Sequence, residues 1–423
     1  MQQTIIAPSF IFSSIILIII LPIIAFFAWN MWMSYIETVF LNSIKWVLLE
    51  VKPPKEVFKS PLAMELVLNA LYQTGGHGNF YQKYWQGRVR NFFSLEIVSI
   101  EGSVHFYIRT SAAFKNIIES QVYAQYPQAE VTEVPDYVNA VPDFSATAPI
   151  QLWGTNMVLS NKEEVYPIKT YVEWGLDRAV GSLEENERID PITAMLEYMG
   201  SIGVGEQIWC QILVRGAYER FTVTERGVEV QKKKWTDKVK EVIKKFNEGL
   251  SEKDAEGKTI ATRRATRGEQ MVIEAIERNA NKLGFDSGIR LIYLAQKDAF
   301  DANRISGTAG LLRQYGALDY NGFKPEYPTA IDFPWQDLTG SRLIKKKKDM
   351  LWAYKARAYF YGGFNINRPA TYFTYPEISG LQPFILSTEE LATLFHLPGR
   401  VAETPSFARI EATKSEPPIN LPI

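Results

Sequence analysis

The first 36 residues contain no Asp, Glu, Lys or Arg, and the first charged side chain is Glu37. That absence excludes the basic leader of a cleaved secretory signal. A single cysteine, Cys210, leaves no partner for an internal disulfide and agrees with a reducing compartment. It lies in the apolar run IWCQILV, the pattern of a buried strand. The three histidines, His77, His105 and His396, fall in separate segments, so no zinc-ligand spacing exists. No G-x-x-x-x-G-K-[ST] phosphate loop and no G-x-S-x-G elbow occurs. Gly203-Val204-Gly205-Glu206 has two glycines and leads into a strand, while Gly307-Thr308-Ala309-Gly310 lies in a helical pattern with no lysine after it. Neither has the context of a dinucleotide or phosphate loop. His77, in TGGHGN, reads as a lone structural histidine. The expectation is a chain that is not an enzyme, with no catalytic residue, cofactor or metal site.

What the sequence has in abundance comes first. Ser9 to Trp29 (SFIFSSIILIIILPIIAFFAW) is 21 uncharged residues, a length that spans roughly 30 Å as a helix. Pro22 removes one donor, which membrane helices tolerate with a kink. Trp29 and Trp32 suit an interfacial aromatic belt. Lysines follow the apolar run (Lys45, Lys52, Lys55, Lys59) and none precede it. The positive-inside rule then puts the N-terminus outside and the body in the cytoplasm, at the inner or plasma membrane. Residues 31–51 mix aromatics with Glu37, Asn42 and Lys45. A second crossing is open, but a helix lying at the interface is the favoured reading.

The remainder is 46% apolar and 13% aromatic counted over the whole chain, which indicates folded domains, and the net charge of −1 gives no overall bias to nucleic acid. The expected class is α+β: a transmembrane anchor (1–30), an interfacial helix and connector (31–60), and a first α+β domain (61–150). A second α+β domain (151–330) follows, with a charged insertion at 218–268, then a helix, an aromatic and proline-rich segment and a linker (331–423). The two domains have similar element spacing, which allows related halves without proving duplication. FFSLEIVSI and VHFYIR flank Glu101-Gly102 as a hairpin. Strands are also expected at Trp153–Leu159 and Ile168–Trp174, and helices after Asp190-Pro191, over EQMVIEAIERNANKLG and from Asp298 to Tyr315. Ser387 and Glu390 make a capping box.

Lys232 to Glu248 carries seven lysines against three acids, with Trp235, Val239, Val242, Ile243 and Phe246 at helical spacing. A solvated face is the plain reading of this amphipathic basic helix. The alternative is contact of Lys232, Lys233, Lys234, Lys238, Lys244 and Lys245 with nucleic acid or anionic lipid. Arg263, Arg264 and Arg267 form a second basic cluster. Four consecutive lysines, Lys345 to Lys348, cannot share one helix face, so most of them are expected in solvent.

Three stretches carry a resemblance: YIRTSAAFKNIIESQVYAQYPQAEVTEVPDY; KLGFDSGIRLIYLAQKDAF with DYNGFKP; and LSTEELATLFHLPG with TPSFARIEATKSEPPINLP. Together they resemble the region preceding the motor domain in membrane-anchored ATPases of the type IV secretion and conjugative DNA-transfer class. The resemblance covers nearly all of the chain after residue 50, and its motifs are structural. In that family an E-P-P-x-N-L-P linker leads into a HerA/FtsK-like nucleotide-binding domain, whereas this sequence ends at Ile423. The resemblance therefore implies a separately encoded motor or a fragment of a longer chain. It also implies a non-catalytic role in anchoring, assembly and positioning. The expected partners are the lipid bilayer and a separate HerA/FtsK-like ATPase, with self-association open. A membrane-tethered scaffold or sensor unrelated to DNA transfer is the alternative.

Overall fold

The computed structural model describes residues 8–53, 59–73, 78–160, 163–177, 189–217, 221–225, 228–233, 235–249, 251–253, 259–361 and 382–399. The linker expected beyond Gly399, His77 and Lys234 lie outside these residues. In chain order the elements begin with α1 (Pro8–Ser43), β1 (Trp46–Lys52), α2 (Leu62–Ala70) and α3 (Phe80–Tyr84). Then come β2 (Phe93–Ile100), β3 (Ser103–Ser111), α4 (Lys115–Gln125), β4 (Glu130–Val134), β5 (Ile150–Leu159), α5 (Pro191–Gly200) and β6 (Glu206–Gly216). An inserted block holds β7 (Phe221–Glu225), β8 (Val228–Lys233), α6 (Trp235–Gly249), β9 (Ser251–Lys253) and β10 (Thr259–Thr262). The chain continues with α7 (Arg267–Ala280), β11 (Gly284–Gln296), α8 (Asn303–Ala309), β12 (Phe323–Glu326), α9 (Ser341–Lys355), β13 (Phe384–Ser387) and α10 (Thr388–Leu394).

Two compact units emerge, and α1, α3 and the described residues of 78–90 and 358–361 belong to the first. α1 is one helix of 36 residues with Pro22 inside it. Its Ile20–Ser43 portion is long and apolar enough to cross a membrane. No proline or glycine lies between Ile23 and Ser43, so nothing in the sequence stops the helix near Trp29. The separate interfacial helix expected at 31–51 is therefore corrected. Residues 31–43 extend α1, and Trp46–Lys52 is a strand with Val47 to Val51 buried.

The second unit is built on a nine-stranded antiparallel sheet. Eight strands run in the order β12-β5-β11-β6-β2-β3-β1-β4, and β13 adds to β11. The order β4-β1-β3-β2, with α2 and α4 as connections, is the split β-α-β-β-α-β arrangement. β12-β5-β11-β6, with α5 and α8, repeats it. β2 and β6 pair antiparallel from Phe93↔Val214 to Ile100↔Gln207, so one sheet runs through both sets. The chain is thus α+β, as expected. The inserted block occupies the β6-to-β11 connection, the position of the β2–β3 hairpin in the first set.

Strand alternation divides the residues between two faces. Leu95, Ile97, Cys210, Ile212, Ile289 and Leu291 point to one face and are covered by α2, α4, α5 and α10. Val98, Trp209, Ile292 and Leu152 point to the other, where Met350, Leu351 and Tyr354 of α9 cover them. Asp190 caps α5 and Pro191 is its first residue, as the sequence implies. Three local expectations change. Ile168–Trp174 is turn rather than strand, because Ile168 and Tyr171 are buried through tertiary contacts that imitate strand burial. The helix expected from Asp298 to Tyr315 narrows to α8 and a 3-10 turn at Arg313–Tyr315. In the insertion, Lys232 and Lys233 sit in β8, so the basic helix starts only at Trp235.

Candidate functional site

Polar residues line up across the middle of the α9-covered face. Cross-strand registers place Glu50 opposite Tyr107, Tyr107 opposite Glu96, Glu96 opposite Gln211, Gln211 opposite Arg290 and Arg290 opposite Asn156. All six are buried. Buried polar groups need partners, and from Glu96 to Asn156 they supply one another, while Glu50 pairs with His105 at 2.6 Å. Arg290 donates to Asn156 Oδ1 (3.0 Å) and Gln211 Oε1 (3.3 Å), and Gln211 Nε2 donates to Glu96 Oε1 at 3.1 Å. Arg357, just beyond α9, closes the row with a forked contact to Glu96 (3.0 and 3.1 Å) and a second to Asp136 (2.7 and 2.9 Å). Tyr354 OH lies 2.8 Å from Tyr137 OH, which donates to Glu96 Oε2 at 2.8 Å. Burial alone would raise the Glu96 pKa, but the charge and hydrogen bonds of Arg357 dominate in sum and hold it down at about 2. Arg357 takes this post with φ +51, a left-handed backbone that strains a side-chain-bearing residue.

A second charged cluster fixes the C-terminal segment on the other side of the body. Ser387 caps α10: Glu390 N donates to Ser387 Oγ (3.2 Å) and Ser387 N donates to Glu390 Oε2 (2.8 Å). That is the capping box read from S-x-x-E. Glu390 also accepts from Ile168 N at 3.0 Å, and Ser387 Oγ donates to Asn279 of α7 at 2.5 Å. Arg278 of α7 donates Nε to both oxygens of Glu389 at 3.0 Å and pairs with Glu173. Glu65 of α2 accepts from Lys282 (2.6 Å), Thr388 (3.2 Å) and Tyr171 (2.9 Å). His396 ties the segment to Asp190 at 3.2 Å.

Four carboxylates (Glu65, Glu173, Glu389, Glu390) share this cluster with two cations (Arg278, Lys282). Burial raises the Glu389 pKa, which Thr170 and Arg278 only partly offset. Burial likewise pushes Glu390 up to about 7, against hydrogen bonds from Ser387 and Ile168. Thr170 Oγ1 lies 2.6 Å from Glu389 Oε1 and 2.5 Å from Glu173 Oε2. One hydroxyl proton serves only one of these contacts. With Thr170 donating to Glu173, the contact to Glu389 closes when Glu389 carries a proton.

Neither cluster contains the basic residues singled out from the sequence, although the second includes the Ser387–Glu390 capping box. On α6, Val239 and Val242 are buried against Val272 and Ile276 of α7, while Lys244 and Lys245 are exposed and Lys238 is half-buried. The side chains of Lys232 and Lys233 lie outside the described residues. Arg263 is held by Glu269 at 2.7 and 2.8 Å. The lysine run departs from expectation, because only Lys345 is exposed and Lys346, Lys347 and Lys348 are half-buried. Lys346 donates to Ala330 O (3.2 Å), and Lys347 donates to Gln151 (2.9 Å) and stands over the Phe144 ring. These stems lie along α9's buried side, as amphipathic chains do. The local sign of the clusters was available in the sequence only as charge inside apolar strands, at Glu96 in FFSLEIVSI and Arg290 in GIRLIYLA.

A groove of about 630 Å³ opens where β2, β6 and β11 end, walled by Val141, Pro142, Pro149, Ile150 and Leu294 with Glu101 and Lys297 at its lip. It contains no histidine or cysteine. Among the described residues, no group of three or more His, Cys, Asp or Glu is arranged to hold a metal ion.

Fold and clusters together define an α+β body with a doubled split β-α-β pattern and an N-terminal helix able to cross a membrane. The chain belongs to the family described as domain of unknown function DUF8128, whose profile matches residues 34–347. No curated protein matches the sequence.

Proposed function

We propose that this protein is a membrane-anchored, non-catalytic component of a type IV secretion or conjugative DNA-transfer machine, whose body positions a separate HerA/FtsK-like ATPase. One observation carries the reading: the segment Phe384–Pro398 is drawn into the body by β13, α10 and the Glu65–Arg278–Glu389 cluster. The chain beyond Gly399 therefore departs from a fixed point on a rigid sheet, the property a positioning element requires. The N-terminus is outside and the body cytoplasmic, on the strength of the lysines that follow α1. The shared strand order of the two sets supports a body of two related halves, diverged by the insertion between β6 and β11. The full chain, purified in mild detergent from its native membrane, is expected to bring a HerA/FtsK-like ATPase with it. Deleting residues 400–423 should abolish that recovery. A preparation without any nucleotide-binding motor would sink the reading, and periplasmic activity of a reporter placed after Ile423 would overturn the orientation.

A further inference from the structure

The first unit carries a second aromatic element beside α1. Asn79 caps α3 with a complete capping box to Gln82, so this single turn is locally specified. Trp32 Nε1 of α1 donates to Tyr84 O at 3.1 Å, and the Trp29 and Tyr84 rings lie 5.8 Å apart. Three residues later Gly87, at φ +65, lets the backbone press onto α1. A Cβ there would stand 2.2 Å from Ile36 O, so no other residue fits without displacing the helix. The strip Asn79–Gly87 is therefore fixed against α1 from Trp29 to Ile36, a rise of roughly 10 Å.

Its outer surface is unusual for water. Phe80, Tyr81 and Trp85 are 69%, 59% and 52% exposed, next to the exposed Trp29, Trp32 and Tyr35 of α1. Phe80 packs at a tilt against Tyr84 (ring centroids 4.6 Å apart) and Trp85 (6.1 Å), so the rings form one patch. Ile20–Ser43 includes Glu37, so the uncharged stretch ahead of it is taken as the spanning part: counted from Pro8, it reaches Trp29 after 21 steps, or roughly 30 Å, the thickness of a hydrocarbon layer. That height puts the patch where the hydrocarbon ends. Tryptophan and tyrosine prefer that depth because an apolar ring and a polar tip are both accommodated. Lys83 on the strip and Arg88 just after it supply cations for lipid phosphates.

We propose that Asn79–Trp85 is a second membrane contact, seated in the headgroup layer beside Trp29, Trp32 and Tyr35. This rests on α1 spanning the bilayer. The strip gives the anchor breadth, because aromatic rings from two chain segments then grip one plane and resist rotation and sliding of α1.

The test uses the full chain reconstituted in phosphatidylcholine–phosphatidylglycerol vesicles. Single cysteines replace Tyr81, Phe26 or Leu318, with the buried Cys210 changed to Ser, and each carries an environment-sensitive fluorophore. Phe26 reports α1, and the fully exposed Leu318 reports water. Lipids brominated near the headgroup should quench the label at 81 several-fold more than the label at 318. A label at 81 quenched no more than at 318, while 26 is quenched by chain-brominated lipid, overturns the proposal and leaves the anchor standing. Absence of quenching at both 26 and 81 overturns the anchor reading itself. A label at 81 shielded from both lipid and aqueous quenchers would show a protein contact instead, and that also overturns the proposal.

Discussion

The two sides of the sheet bury charge in opposite ways. On the α9 side, Arg357 sits between Glu96 and Asp136, and hydrogen bonds run on from Glu96 through Gln211 and Arg290 to Asn156. On the α10 side, four carboxylates meet two cations, so the cluster is short of positive charge. The first arrangement favours the ionised carboxylate and the second favours a protonated one. A buried ion pair is thus a lock on one side and a titratable joint on the other.

The largest effect should come from Arg357→Met, which leaves Glu96 buried without its cation. A loss of about 3–5 kcal/mol is expected in denaturant unfolding of the detergent-solubilised chain. Adding Glu96→Gln to it should recover part of that loss. Equal stability of single and double variants would mean that the pair is not the lock described.

The pH dependence sharpens the contrast. Glu96 has a folded pKa depressed to about 2, so its stabilisation is present above about pH 4.3 and disappears as pH falls towards 2. Glu390 has a folded pKa raised to about 7. The folded state then holds the extra proton, and stability from this group falls as pH rises from about 4.3 through 7. Hydrogen exchange, corrected for its intrinsic pH dependence, should show α10 loosening as pH rises from about 4.3 to 7 and α9 loosening only in acid. Identical profiles for the two helices would remove the distinction.

Ser387→Ala removes both a helix cap and the bond to Asn279, and should cost about 1–2 kcal/mol. The loss should appear mainly as faster exchange in Phe384–Leu394 rather than across the sheet. Smallest of all, Lys244→Gln with Lys245→Gln should change stability by less than about 0.5 kcal/mol, since both side chains are exposed. If the pair also binds DNA less tightly, with a flatter salt dependence, α6 is a nucleic-acid surface; unchanged affinity leaves it a solvated face.

Local patterns carried much of the fold. The β2–β3 hairpin, α5 with its Asp190 cap, and the α10 capping box each depend on residues close in sequence, where turn and cap chemistry is visible. β1 was hidden because WVLLEVK is buried on both faces and shows no alternation, so it reads as more of the preceding apolar helix. Ile168–Trp174 erred the other way, since apolar residues buried by distant contacts resemble a strand. Beyond that capping box, the contacts that assemble the clusters were not legible. Glu96 and Arg357 are 261 residues apart, and Glu65 and Thr388 are 323 apart. Only the sheet order brings them together, and nothing in one sequence states that order. The half-buried lysine stems of α9 failed for a related reason: the run gives their charge, but the neighbours of Lys346 and Lys347 come from residues 144–151 and 328–330.

One covalent connection has a mechanical meaning. Only Ile44 and Lys45 separate α1 from β1, and β1 is an inner strand with five paired positions to β3 and five to β4. A pull applied along β1 through its N-terminal end meets two ladders at once, and their hydrogen bonds share the load in shear. An edge strand would instead open one bond after another, like a zipper. If the helix is the tether, it is tied to the part of the sheet hardest to peel away, and tension from the membrane passes into the body without first unravelling it.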